Sequence, residues 1–228
     1  MPFIEPLFED RREAGRRLAA ALDRYRQSRA IVSALPRGGV PVGFEVATAL
    51  SAPLDIVMVR KIGAPGQPEL GLGAVVDGND PQPVLNDEII RSVRPPPGYI
   101  EAEMRRQLAE IARRRRLYVG DLPAVRLDGR TLIVVDDGIA TGGTVKAALR
   151  GLARHRPALL VLAVPVAPAD TLDDLATECD DIVCLATPEP FYAVGPYYRD
   201  FAQTDDDEVI RLLAEAHQRS NADALAST

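Results

Sequence analysis

The sequence predicts an α/β protein with a mainly parallel central sheet and flanking helices. Short aliphatic runs alternate along the chain with segments of helical periodicity, the order expected of such a sheet. One run, residues 132–135, is apolar at every position, which is typical of a strand covered on both faces. With 228 residues, 46% of them hydrophobic, the chain can bury a substantial core as one domain.

In chain order, the expected elements are a helix over residues 10–25, a strand over 30–35, a helix over 40–50, strands over 54–60, 131–135 and 159–164, a helix after residue 144, and a last strand over 182–185. Residues 61–130 interrupt the alternation with a glycine-rich loop, the proline-rich turn RPPPG and a long charged helix. We predict an insertion at about residues 80–126 that packs on the sheet within a single domain, residues 1–228.

A glycine- and threonine-rich turn follows the strand at residues 131–135. It begins with two carboxylates, which repel each other unless they face solvent, a cation or a hydroxyl-rich ligand. Glycines then let backbone N–H groups point inward at the start of a helix, an arrangement that binds phosphate. The stretch therefore predicts a site for a phosphorylated sugar. The residues expected to form it are Asp136, Asp137, Gly138, Ile139, Ala140, Thr141, Gly142, Gly143 and Thr144.

A second turn, LPRGG, ends the first predicted core strand. Its two glycines are expected to expose backbone amides. Arg37 carries a planar, permanently charged guanidinium, which binds phosphate oxygens through paired N–H groups. Alone, the turn would be an ordinary strand-to-helix connection with an exposed arginine. Next to a sugar-phosphate motif, Pro36, Arg37, Gly38 and Gly39 are predicted to bind pyrophosphate.

Arg60 and Lys61 stand at the start of a glycine-rich segment. Residues 61–73 combine turns with small residues, a composition typical of a lid that closes over a reactive phosphate, and we expect it to be open without ligand. Both cations are candidates for pyrophosphate binding, although a solvated strand end explains Arg60 equally well. Glu69 is the candidate general base, because of its position in this lid.

These motifs resemble those of the type I phosphoribosyltransferases, and the whole chain is similar to a group of bacterial proteins described only as predicted phosphoribosyltransferases. The likeness runs over about residues 8–208, through LPRGGVP, RKIGAPGQPELGLGA, VDDGIATGG and YYRDFAQ. The loop GIATGGT is most similar to that of adenine phosphoribosyltransferases. Hypoxanthine–guanine enzymes have a loop aspartate where this chain has Ala140, which argues against that kind of salvage.

The resemblance implies a glycosyltransferase that moves phosphoribosyl from 5-phosphoribosyl 1-pyrophosphate (PRPP) to a nitrogenous base, or removes it. It also implies Mg²⁺, which is carried on the pyrophosphate that leaves an oxocarbenium-like centre. The protein's part is then to position the reactants and offset charge. Asp136 and Asp137 would be catalytic, near the ribose hydroxyls, and would reach Mg²⁺ through its waters.

Aromatic residues concentrate in residues 187–208, although Phe, Trp and Tyr make up only 5% of the chain. By position this segment resembles the hood that covers the acceptor in the family. Aromatic rings stack on planar bases, and packing of a C-terminal flap explains them equally well. Phe191 and Tyr198 are the candidates for acceptor binding.

Charge and composition limit the partners. A net charge of -6 disfavours nonspecific binding to nucleic acid or to an anionic membrane. The run of four arginines at residues 113–116 points around a helix and is predicted to be a solvated helix end. Cys179 and Cys184 suggest neither a zinc site nor a disulfide framework. The expected partner is a small phosphoribosyl substrate, and a homodimer stays open.

The chain has no start typical of a signal peptide and no apolar run long enough to span a bilayer, so we expect a cytoplasmic protein. Two other classes stay open: a regulator that binds PRPP or a nucleotide without catalysis, and a nucleotide phosphoribohydrolase. Histidine-based nucleophilic catalysis has no support, because His155 and His217 both lie in predicted helices.

Overall fold

The computed structural model describes residues 5–77, 83–120, 125 and 127–226. Its strands are β1 (Ile31–Ala34), β2 (Leu54–Ile56), β3 (Val59–Ala64), β4 (Gln67–Val76), β5 (Pro83–Leu85), β6 (Thr131–Val135), β7 (Leu159–Val166) and β8 (Asp181–Ala186). Its helices are α1 (Arg11–Ala21), α2 (Gly39–Leu50), α3 (Asp87–Val93), α4 (Tyr99–Val119), α5 (Gly143–Ala153), α6 (Ala169–Leu175) and α7 (Asp206–Ala226).

Five strands form a central sheet in the order β2-β1-β6-β7-β8, and all of its pairings are parallel. This confirms the predicted fold class. Every residue of β1 and β6 is buried, because helices cover both faces of the sheet. Leu132 and Val134 pack with α5 on one face, whereas Ile133 and Val135 pack with α1 and α2 on the other.

The pairing of β1 with β6 determines where the two predicted phosphate-binding turns meet. Ala34 lies opposite Val135 in the parallel register. Both strands therefore end at the same edge of the sheet, and the turns that follow them begin side by side. Ligands of open parallel sheets bind at this carboxyl edge.

The strand predicted over residues 54–60 is wrong: the chain forms two strands there. β2 belongs to the central sheet, whereas β3 belongs to a second, antiparallel sheet of order β3-β4-β5. The chain crosses between the sheets at Val57 and Met58, which are both buried. The crossing is fixed by Asp77, whose Oδ1 accepts a hydrogen bond from Met58 N at 2.8 Å. An apolar run does not report such a change of pairing partner.

The loop predicted over residues 61–73 is also wrong, because β3 and β4 pair as an antiparallel hairpin. The glycines that suggested hinges allow close packing instead. A Cβ at Gly63 would lie 2.6 Å from Pro68 O, next to an irregularity in the strand register, and a Cβ at Gly73 would meet the backbone of β5. Gly66 takes a positive φ of 71° at the hairpin turn, which favours glycine.

The long charged helix of the predicted insertion is α4, which follows Gly98 at a φ of 77°. Ile111 and Tyr118 of α4 pack with Met58 and with Leu212 of α7. Both ends of the predicted insertion, residues 80–82 and residues 121–124 with 126, lie outside the described residues. Within the described ranges, none of the helices has the length and apolar character that a membrane span requires.

The prediction that residues 113–116 form a solvated helix end is wrong for Arg115. Its side chain is only 22% exposed and pairs with Asp55 at 2.8 Å and with Asp77 at 2.9 Å. Its Nη1 also donates to Ile56 O at 3.0 Å. Burial raises the pKa of Asp77 to about 6, and the charge of Arg115 partly opposes this shift. Arg115 therefore fastens α4 to β2 and to the end of β4.

Candidate functional site

The predicted phosphate loop connects β6 to α5 and is tied to its neighbours by hydrogen bonds. Ile139 is buried, and its N–H donates to Val166 O at 3.0 Å. Thr171 Oγ1 donates to Ala140 O at 3.2 Å. Gly142 has a φ of 71°, a conformation that glycine adopts without strain. These contacts leave Ala140, Thr141, Gly143 and Thr144 exposed at the start of α5. The loop thus presents hydroxyls and helix N-terminal amides to solvent, as a phosphate site requires.

The two carboxylates of this loop have different surroundings. Asp137 Oδ2 accepts a hydrogen bond from Arg11 Nε at 2.7 Å, and Asp137 O accepts one from the Tyr198 hydroxyl at 2.6 Å. Burial, and then the charge of Asp137, raise the pKa of Asp136 well above its usual range. Asp137 N donates to Asp136 Oδ1 at 2.9 Å. Asp137 is therefore neutralised by Arg11, whereas Asp136 has no cationic partner among the described residues.

Arg11 belongs to the candidate site, and the sequence reasoning missed it. It is the first residue of α1, and its side chain is only 11% exposed. Its guanidinium also donates to Ala202 O at 2.7 Å and lies 3.9 Å from the centre of the Phe201 ring. No sequence signal connects positions 11 and 137; only the packing of α1 against the sheet brings them together.

The LPRGG turn lies directly against Asp136 and Asp137, which we call the acidic pair. Leu35 N donates to Val135 O at 2.9 Å, which joins the first residue of this turn to the last residue of β6. A Cβ at Gly38 would collide with the Asp137 carboxylate, and a Cβ at Gly39 would lie 2.7 Å from Val135 O. These glycines are therefore needed for the close approach of the two turns. The predicted exposure of both glycine amides is wrong for Gly39, which is buried and donates its N–H to Leu35 O at 3.0 Å. The Pro36–Arg37 peptide bond is cis.

A cavity of about 220 Å³ opens between the two turns. It brings together five of the predicted site residues: Pro36, Arg37, Arg60, Asp136 and Thr144. Arg60 is held by its Nε, which donates to Gln107 Oε1 of α4 at 3.1 Å. Helix α4 also lines the cavity with two side chains that the sequence reasoning did not place there, Arg114 and Tyr118.

Lys61 and Glu69 lie away from this cavity. Lys61 lines a neighbouring cavity of about 420 Å³ that also includes Thr141 and Thr144. Its Nζ donates to Glu69 O at 3.1 Å and lies 3.4 Å from Glu69 Oε2. Glu69 itself is 95% exposed on the hairpin. The structure thus brings Lys61 to the open side of the phosphate loop but does not bring Glu69 to the acidic pair.

The predicted hood follows β8, and its last residues, from Asp206, belong to α7. Tyr198 is 4% exposed, and its ring packs between Phe8 and Phe201 at centroid distances of 5.3 and 5.0 Å. Its hydroxyl binds the backbone of Asp137, and its buried ring has no exposed face on which a base could stack. Phe191 is stacked on Tyr197 at 5.2 Å and is partly exposed. Tyr192, which the sequence reasoning did not single out, is 66% exposed.

The donor set indicates how Mg²⁺ would fit here. Among the described residues, no three His, Cys, Asp or Glu side chains cluster as a metal cage. Asp137 is already paired with Arg11, which leaves Asp136 as the carboxylate next to the cavity. Mg²⁺ commonly keeps several waters and is bound by one or two carboxylates and by substrate phosphates. The residues present therefore fit a Mg²⁺ that arrives on a polyphosphate and contacts Asp136.

Comparison with known proteins identifies the family. Residues 8–200 match the phosphoribosyl transferase domain. Two curated relatives from Mycobacterium tuberculosis, strains CDC 1551 and H37Rv, are each named "Putative phosphoribosyl transferase" and are 47% identical to this chain over 212 residues. The match covers 93% of this chain and 47% of each relative, so the chain spans about half the length of these relatives.

A solved structure gives the same result for the fold. The crystal structure of the protein TT1426 from Thermus thermophilus superposes with a TM-score of 0.79 at 41% sequence identity. The match covers 91% of this chain and 98% of that chain. With its parallel sheet and its match to the domain over residues 8–200, the chain belongs to the phosphoribosyl transferase family and has the type I fold.

Proposed function

We propose that the protein is a phosphoribosyltransferase that uses PRPP and Mg²⁺ to form or break a bond between ribose C1 and a nitrogen of a heterocyclic base. The observation that carries this proposal is the meeting of three parts at one edge of the sheet: the acidic pair, the phosphate loop and an arginine-lined cavity. These parts correspond to the hydroxyls, the 5-phosphate and the pyrophosphate of PRPP.

The 5-phosphate is assigned to the phosphate loop. Thr141, Gly143 and Thr144 are exposed where α5 begins, so their hydroxyls and amides are free to donate to phosphate oxygens. The loop needs no large rearrangement for this, because Ile139 and Ala140 are already tied to β7 and α6. Such preorganised donors do not have to be ordered when the ligand binds.

The pyrophosphate is assigned to the cavity beside Asp136. Arg37 and Arg60 line it, and a guanidinium binds phosphate oxygens through paired N–H groups. As the bond from C1 to pyrophosphate breaks, its electron pair leaves with pyrophosphate, and these cations offset the growing charge. Bound Mg²⁺ would supply additional positive charge to the same leaving group.

The acidic pair is assigned to the ribose. An ionised Asp136 accepts hydrogen bonds from the vicinal hydroxyls, and Asp137, held by Arg11, keeps the backbone of the loop in place. The acceptor nitrogen gives up a proton when the new bond forms. Glu69 would be the base for this proton only after the β3–β4 hairpin folds over the site, since its carboxylate now faces solvent. Phe191 stays the candidate ring for the acceptor.

The test is pyrophosphate release from PRPP and Mg²⁺, measured with one purine, pyrimidine or other nitrogen heterocycle at a time. We expect release that depends on one class of base and is lost in Asp136→Asn. Asp128→Asn is the matched control, because Asp128 is 76% exposed and precedes β6, at the opposite end of that strand from the loop. Release without any base would indicate hydrolysis of PRPP instead. Release of the base from a nucleotide in water would indicate a phosphoribohydrolase, and tight PRPP binding without turnover on any base would indicate a regulator.

A further inference from the structure

We propose that helix α4 completes the pyrophosphate site and that its Arg114 is a third phosphate-binding arginine. Until a ligand binds, the carboxylate of Asp206 in α7 balances the positive charge of these arginines. The inference rests on the proposed function and deepens it. It concerns a helix that follows the hairpin and contributes none of the sequence motifs on which the family assignment rests.

The first observation is the position of Arg114. Its side chain lines the same 220 Å³ cavity as Arg37, Arg60 and Asp136. It is anchored through Nε, which donates to Glu110 Oε1 at 2.7 Å. Arg60 is likewise anchored through Nε. Anchoring at Nε leaves the terminal N–H groups, the pair that forks to phosphate oxygens, available to a ligand.

The second observation is a polar bridge that Asp206 forms between two residues that line the cavity, Tyr118 and Arg37. Tyr118, also on α4, donates its hydroxyl to Asp206 Oδ1 at 2.7 Å. The same oxygen lies 3.5 Å from Arg37 Nη1. The hydrogen bond from Tyr118 lowers the pKa of Asp206, and the charges of Arg37 and Arg114 lower it further. Asp206 is therefore an ionised counter-charge close to two of the three cavity arginines.

The charge balance of the cavity then suggests what it binds. Three arginines and one carboxylate, Asp136, line it. Such a cavity favours a ligand with several negative charges over one phosphate. A diphosphate meets this requirement, and its arrival would take Arg37 away from Asp206. Arg114 should thus bind the pyrophosphate part of PRPP and make no contact with the ribose 5-phosphate part.

The experiment measures the affinities of Mg²⁺-pyrophosphate, Mg²⁺-PRPP and ribose 5-phosphate by calorimetry, at about 0.15 M salt to screen distant charges. Arg114→Gln should weaken the first two about ten- to hundredfold, the usual effect of losing a charged hydrogen bond, and leave ribose 5-phosphate within about twofold. Arg113→Gln is the control: Arg113 binds the same Glu110 but is 63% exposed and does not line the cavity. It should change each affinity by less than about threefold.

A second variant, Asp206→Asn, should change the pyrophosphate affinity in the opposite direction. The amide oxygen still accepts the hydrogen bond from Tyr118, but the counter-charge is gone, so pyrophosphate affinity should rise about two- to fivefold. Equal affinities of Arg114→Gln and wild type for Mg²⁺-pyrophosphate, or equal losses for all three ligands, would overturn the inference and leave the proposed function standing. Failure of the wild type to bind either pyrophosphate or PRPP would overturn both.

Discussion

Asp136 and Asp137 are adjacent in the sequence, but their carboxylates have separate tasks in the structure. Asp137 is held by Arg11 at 2.7 Å, and the Tyr198 hydroxyl fixes its carbonyl. Asp136 is partly buried beside that charge and pairs with no cation among the described residues, so its ionised form is unfavourable. Asp137 therefore stabilises the loop, and the Asp136 carboxyl, unpaired in the described structure, becomes ionised when a ligand binds.

We expect Asp137→Asn to lower the free energy of unfolding by about 1.5–3 kcal/mol, because it leaves the partly buried Arg11 without its anionic partner. Urea denaturation of the variant and the wild type at pH 7 measures this difference. Asp128→Asn, at an exposed position, should stay within about 0.5 kcal/mol of the wild type. Equal stabilities of the Asp137 variant and this control would mean that the Arg11 pair is not structural.

Asp136→Asn should have the opposite effect on stability, and the effect should depend on pH. A carboxyl whose pKa is raised on folding contributes stability below its unfolded pKa and loses that contribution as pH rises through the folded pKa. The asparagine mimics the neutral carboxyl at every pH. The variant should therefore gain stability relative to the wild type as pH rises, while it loses affinity for PRPP. A difference in unfolding free energy that is constant between pH 4 and 8 would contradict the raised pKa.

At the scale of elements, α4 differs from its predicted role as a charged, solvated helix. Consecutive arginines on this helix have unlike tasks: Arg113 pairs with Glu110 in solvent, Arg114 lines the cavity and Arg115 lies in a buried cluster. Successive positions on a helix differ by about 100° in direction, so a run of one residue type necessarily meets several environments. The sequence predicted the helix but not its orientation.

Replacing Arg115 tests how α4 is fastened. Arg115→Met should lower the unfolding free energy by about 3–5 kcal/mol at pH 8, because it leaves Asp55 and Asp77 buried without a cation. The loss should be smaller at pH 5, below the pKa of about 6 of Asp77, where that carboxyl is protonated. Arg116→Met, at an exposed position on the same helix, is the control. A loss that does not change with pH would remove Asp77 from the explanation.

The β3–β4 hairpin makes a prediction about motion. Because the two strands already pair in the ligand-free protein, their amides should exchange with solvent more slowly than those of an unpaired loop. Binding of PRPP with Mg²⁺ should add protection if the hairpin also closes over the ribose. Hydrogen exchange followed by mass spectrometry measures both. Complete exchange of residues 61–73 at the earliest time point without ligand would contradict the hairpin and restore the open loop.

For the whole molecule, the sequence predicted what depends on local patterns. The alternating strands, the turn after β6 and the LPRGG turn were all identified, because strand periodicity and turn chemistry are local properties. It did not predict Arg11 at Asp137 or Arg114 at the cavity, since these contacts join positions far apart in the chain. The prediction for residues 61–73 was wrong because glycine serves close strand packing as well as hinges.

The arrangement of charge also belongs to this scale. The chain has a net charge of -6, yet arginines from three separate segments converge at the carboxyl edge of the sheet. Local charge of this kind attracts an anionic ligand to one cavity while the rest of the surface stays acidic. Packing of the chain thus creates a local cluster of positive charge that the net charge of the sequence does not reveal.

The most direct test is calorimetric titration of the wild type and of Arg37→Ala with Mg²⁺-PRPP and with ribose 5-phosphate. The wild type should bind one PRPP per chain. Arg37→Ala should weaken PRPP by about one to two decades, because a charged hydrogen bond to pyrophosphate is lost, and should leave ribose 5-phosphate nearly unchanged. No binding of PRPP by the wild type, or equal losses for both ligands in the variant, would contradict a pyrophosphate site between the two turns.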